Sequence, residues 1–80
     1  MRVVTILGKK AETRTRFMVE LLNERIISEI RRLIRSHRCY EALTRIIKNG
    51  IVLKELSEKE ISEAKPDLII TNRHAYWTIS

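Results

Sequence analysis

The apolar positions of this chain change period along its length, and each change marks an element. Residues 2–7 form a short β-branched run stopped by Gly8, the pattern of a buried strand that ends at a turn. From residue 12 to 23 the pattern becomes helical, with Phe17, Met18, Leu21 and Leu22 on one side and Arg14, Arg16, Glu20 and Glu24 around the rest. Residues 28–38 set four arginines, Arg31, Arg32, Arg35 and Arg38, among Ile30, Leu33 and Ile34. With Ile26 and Ile27 added, the aliphatic positions follow a helical period. Ile26, Ile30 and Ile34 would also share one face of a strand with two interruptions, and on periodicity alone the helix is the better match.

A second helix is expected over residues 39–48, with Cys39, Leu43, Ile46 and Ile47 inward. Asn49-Gly50 stops it, since glycine tolerates the left-handed conformation that ends helices. No Gly or Pro enforces a break near Asn23, yet an unbroken helix over residues 13–48 would far exceed the usual length in a globular domain, so a break is expected. Ile51-Val52-Leu53 restarts as a strand. Residues 57–65 pull two ways: Ser57 and Glu60 have the spacing of a capping box, while an extended reading makes the segment one arm of a hairpin. Pro66-Asp67 closes it and Leu68-Ile69-Ile70-Thr71 is a strand. Residues 72–75 are turn-like, and residues 76–79 finish the sheet unless 68–79 is a single bent edge strand.

Charge changes the picture more than composition does. The formal net charge of the 80 residues is +6, unevenly spread: residues 1–50 hold twelve Lys and Arg against five Glu, and residues 51–80 hold four against five acidic side chains. Such a polycation points to an anionic partner, nucleic acid before an acidic membrane surface. A chain this short is one domain, residues 1–80, that gains from a partner because it buries little apolar surface alone. Its single cysteine, Cys39, excludes an intrachain disulfide and a cysteine-based zinc cluster, which fits a reducing compartment. No run approaches membrane-spanning length and no secretory signal opens the chain, so a soluble, cytoplasmic protein is expected. The absence of Gln and the wealth of Ile, Arg, Lys and Glu resemble proteins from hot environments.

Candidate chemistry is sparse. A strand, Gly8 and Lys9 invite comparison with a phosphate-binding loop, but the second glycine and the Ser or Thr after the lysine are missing. His37 and His74 have no Cys, Asp or Glu at metal-ligand spacing, and Cys39 beside His37 makes no nucleophile and base pair. Neither a cofactor, a metal nor a small-molecule substrate is expected, and no enzyme. Tyr76 and Trp77 suit base stacking or, more commonly, a small core or an interface.

Order and spacing carry one resemblance. A strand followed by Gly8-Lys9-Lys10, a helix ending in Leu21-Leu22-Asn23, then Ser28-Glu29-Ile30, the basic turn Arg35-Ser36-His37-Arg38 and Ala42-Leu43 in a second helix resemble the Alba family, the small basic chromatin proteins of archaea, over residues 3–50. The resemblance implies an α+β fold, a β-α-β-α-β-β two-layer sandwich with two helices on one face of a four-stranded sheet. It makes residues 25–36 a strand and turn, which would point Arg32 into the core unless a bulge turns it outward. It further implies a homodimer, or a heterodimer with a paralogue, that binds double-stranded DNA or RNA with little sequence preference. Lys9 and Lys10 match the family's paired lysines, and Arg35 with His37 its basic turn. The family's long basic arm has no counterpart here, because Glu55, Glu58, Glu60 and Glu63 oppose Lys54, Lys59 and Lys65 in that region.

The expected function is therefore non-catalytic, mainly electrostatic, chromosome-associated nucleic-acid binding by Lys9, Lys10, Arg31, Arg35, His37 and Arg38. The alternative is an oligomerising interaction or regulatory module that meets a protein partner through its acidic C-terminal third.

Overall fold

In the computed structural model, which describes residues 1–78, the chain runs through β1 (Arg2–Leu7), a 3-10 turn (Ala11–Thr13), β2 (Thr15–Glu20), α1 (Glu24–Arg35), α2 (Cys39–Asn49), β3 (Ile51–Glu55), α3 (Glu58–Glu63), β4 (Leu68–Ile70) and β5 (Ala75–Trp77). The strands form one mixed sheet of order β3-β2-β1-β4-β5, in which β1 and β4 are parallel and the other neighbours antiparallel. The class is α+β. The sheet has five strands where four were expected, and the observed order differs from β-α-β-α-β-β at three places. The last of these is the added helix α3 between β3 and β4, packed on the face opposite α1 and α2, where a two-layer sandwich with both helices on one face was expected.

The first is residues 12–23, expected as a helix and observed as the 3-10 turn and β2. The apolar residues of β2 serve both sheet faces, which blurs the alternation of a strand. Val19 lies buried with Leu21, Ile30 and Leu43 on the side of α1 and α2. Met18 lies buried with Val4 and Leu56 on the side of α3. Leu22, which completed the apparent helical stripe, is 71% exposed.

The second is residues 25–36, where periodicity prevails over the resemblance and α1 forms. Asn23 caps it by accepting the Arg25 backbone N–H at 2.8 Å. Ile30 and Leu33 are buried, Ile26, Ile27 and Ile34 pack around them, and Arg32 stays exposed because the helical turn carries it outward. Residues 57–65 resolve as a helix: Ser57 and Glu60 form the capping box reciprocally, at 3.2 and 3.4 Å. These Ser57 hydrogen bonds, with Lys54 beside them, hold the Glu60 carboxyl below its ordinary range. Residues 68–77 are two strands joined by a turn rather than one bent strand. The expected extension of the last strand to Ile79 lies outside the described residues.

Gly50 stops α2 for a different reason than the sequence suggested. Its φ of −86° is not left-handed. The backbone there runs so close to β2 that an added Cβ would collide with a methyl of Val19 and come within 2.7 Å of the Ile46 carbonyl oxygen. Gly50→Ala is therefore expected to cost about 1–3 kcal/mol by overpacking, read from the denaturant midpoint at unchanged slope.

Charge asymmetry along the sequence becomes asymmetry across the sheet. Residues 24–49, forming the helical hairpin on one face, carry seven Lys and Arg against three Glu, while α3 on the opposite face carries three Glu against one Lys. The acidic segment is thus a packed helix, not an arm. No helix among the described residues is long and apolar enough to cross a membrane.

Candidate functional site

Only three ion pairs form among the described residues: Arg38 with Glu41, Arg45 with Glu29 and Lys54 with Glu60. Thirteen of the sixteen Lys and Arg therefore have no carboxylate within 4.0 Å among those residues. The six expected binding residues divide between them.

Arg31 and Arg35 stand one helical turn apart on the exposed side of α1, and both line a hollow with Trp77 of the edge strand β5. The Arg31 guanidinium carbon lies 5.6 Å from the centroid of the Trp77 ring, in cation–π contact. Arg31, Ile34, Arg35 and Trp77 line a hollow of about 290 Å³. Trp77 is still 40% exposed. A flat aromatic ring with Arg31 against it and Arg35 in the same hollow is suited to a base or sugar on the ring and phosphates on the arginines. The sequence had Arg31 and Arg35 and had Trp77 as a stacking candidate; only the strand order puts them together.

Lys9 and Lys10 follow Gly8 in the loop leaving β1. Gly8 has φ of +126°, and a Cβ there would come within 2.9 Å of the Arg14 Cα, so the loop folds back tightly on the start of β2. Lys10 starts the 3-10 turn, its backbone N–H donating to Thr13 Oγ1 at 3.3 Å, which leaves its ammonium free of backbone duty. Lys9 lines a cleft with Gly8, Arg14, Asn72, Arg73 and His74, in which Arg14 and Arg73 are cations that sequence reasoning did not place with it. Arg14 is distant from Arg73 along the chain, and the signal for their meeting is the parallel pairing of β1 with β4. No carboxylate lines this cleft.

His37 and Arg38 lie where α1 ends. His37 has φ of 59°, and the Arg38 N–H donates to the Leu33 carbonyl while the His37 N–H donates to that of Ile34, the Schellman arrangement that ends α1. Arg38 holds both carboxylate oxygens of Glu41, at 2.9 and 2.5 Å. His37→Gly is expected to raise stability by about 1 kcal/mol by relieving the left-handed conformation, which thermal unfolding of the variant checks.

Among the described residues no group of three His, Cys, Asp or Glu is placed to hold a metal ion. Cys39 is buried in the first turn of α2. Protein-family models, curated proteins and solved structures give no match to this chain.

Proposed function

We propose that this chain is a non-catalytic nucleic-acid-binding protein, acting on DNA or RNA with little sequence preference and mainly through charge. The observation that carries the reading is the hollow on the basic face of the sheet that Arg31 and Arg35 line together with the exposed ring of Trp77, which Arg31 overlies. Lys9 and Lys10 add charge from the β1 loop. His37 caps α1 through its backbone alone and keeps an exposed side chain for the same surface, while Arg38 brings little net charge because Glu41 already pairs with it. This reading rests on charge, exposure and the aromatic ring and takes nothing from the Alba resemblance, whose strand at residues 25–36 is replaced by α1.

The experiment is a gel shift with duplex and single-stranded probes at two salt concentrations. A steep loss of affinity with salt supports the reading, since each phosphate contact releases condensed counterions. The stacking ring adds a preference for single strands, whose bases are free to lie on it.

A second reading has one observation in its favour. All of the edge strand β3 is exposed, and its Ile51, Val52 and Leu53 are 48%, 48% and 46% exposed. An apolar edge of this kind is a template for another strand. Under this reading the chain is an interaction module whose C-terminal third meets a protein, and the same edge would pair two copies in a homodimer or a paralogue in a heterodimer. Salt-insensitive failure to shift either probe favours it over nucleic-acid binding.

A further inference from the structure

The cleft lined by Lys9 is set by topology. β1 and β4 are parallel neighbours in the middle of the sheet, but the chain leaves β1 toward β2 on one side and leaves β4 toward β5 on the other. Loops that diverge from adjacent parallel strands leave a crevice at the strands' carboxyl ends, the place where open sheets with parallel strands hold ligands. Here the crevice measures about 560 Å³, within the range of small-ligand sites.

Its walls are fixed. On one side Gly8 holds the β1 loop against Arg14. On the other, Thr71 Oγ1 accepts the backbone N–H groups of Arg73 and His74 at 3.2 and 3.0 Å, and the Thr71 N–H donates to the His74 carbonyl at 2.8 Å. Lys9, Arg14 and Arg73 have no carboxylate partner among the described residues, and none lines the cleft. Asn72 in the wall has its Oδ1 shut from solvent without a hydrogen-bond partner. A phosphate offers only acceptors, so a flip of that amide would turn its Nδ2–H donors toward a bound phosphate and carry Oδ1 out of its unpartnered position.

We propose that this cleft binds a phosphomonoester, the group found on a free nucleotide and on the phosphorylated end of a nucleic-acid strand. Three cations converging on one concavity favour a group with close to two negative charges over the single charge of an internal phosphodiester. A recess flanked by two loops admits an end more readily than a backbone that must continue both ways. The proposal deepens the nucleic-acid reading and rests on it for the strand that would bring the phosphate.

The test compares a ten-nucleotide oligothymidylate carrying a 5′-phosphate with its 5′-hydroxyl form, with adenosine 5′-monophosphate and inorganic phosphate as separate arms, all by calorimetry. The 5′-phosphate form is expected to bind at least tenfold tighter. Arg73→Gln should remove that preference and leave the 5′-hydroxyl form within about threefold of wild type. Asn72→Ala should also reduce the preference while raising the melting temperature, since it deletes an unpaired polar group; a purely structural asparagine would move stability alone. Equal binding of both oligonucleotides overturns the cleft and spares the nucleic-acid reading. Binding of the monophosphate without either oligonucleotide keeps the cleft as a nucleotide site and overturns the nucleic-acid reading, whereas no binding in any arm overturns both.

Discussion

Reversing two charges, Arg31→Glu with Arg35→Glu, is expected to weaken single-stranded nucleic-acid binding by about a hundredfold or more, with the fold intact. A unit charge at contact distance in water contributes about 1 kcal/mol, and reversal both removes that attraction and adds a similar repulsion, so two sites together approach 4 kcal/mol. Both side chains are exposed and neither makes an ion pair among the described residues, so the loss falls on binding. The salt dependence should become shallower as well, because two phosphate contacts are gone. Trp77→Ala separates the two contributions of the hollow: it should cost about 1–3 kcal/mol with single strands, the usual loss of one stacked base, and leave the salt slope nearly unchanged. Fluorescence anisotropy over a salt series reads both numbers. Retention of wild-type affinity by the double reversal would move the binding surface elsewhere on the molecule.

The second large effect concerns the stretch on which helix and strand readings divide. Leu33→Ala is expected to destabilise the domain by about 2–5 kcal/mol, the cost of truncating a buried leucine. Leu33 is 5% exposed and sits in the cluster that holds Ile30, Leu43, Ile46 and Leu68. Domains of this size have little stability in reserve, so much of the population should be unfolded at the higher end of that range. Arg32→Ala, at the adjacent position, should change stability by no more than about 0.5 kcal/mol. A strand would invert the pair: with Ile30 inward, parity would turn Arg32 inward too and Leu33 outward. Two urea titrations therefore read the conformation of residues 25–36 without coordinates.

That contrast also marks what the residues disclosed in advance. In α2 and β1 one local signal dominates, the apolar spacing up to Asn49-Gly50 and a β-branched run ended by Gly8. In α1 the 26-27-30-33-34 spacing favoured a helix against the strand of the resemblance, and the Ser57–Glu60 box left α3 open between a helix and a hairpin arm. β2 was misread because both of its faces are covered. Phe17, Met18 and Leu21 cannot show the alternation of a half-exposed strand when Met18 packs under α3 and Leu21 under the helical hairpin. The candidate binding residues show the same division. Arg31 and Arg35 could be named from the sequence because they cluster along it. Their meeting with Trp77, and that of Lys9 and Arg14 with Arg73, depend on β4 entering the sheet beside β1, a long-range pairing with no local trace. His37 and Arg38 stand in the turn that ends α1, where the His37 backbone forms the left-handed cap and the Arg38 guanidinium pairs with Glu41.

The most direct measurement is a two-dimensional ¹H–¹⁵N NMR titration of the chain with a short single-stranded oligonucleotide at low salt. Shifts concentrated on Arg31, Arg35, Trp77 and the loop of Lys9 and Lys10, reversed by added salt, are the predicted result. Shifts confined to β3 and α3, or none at any of those four basic positions, would contradict the account.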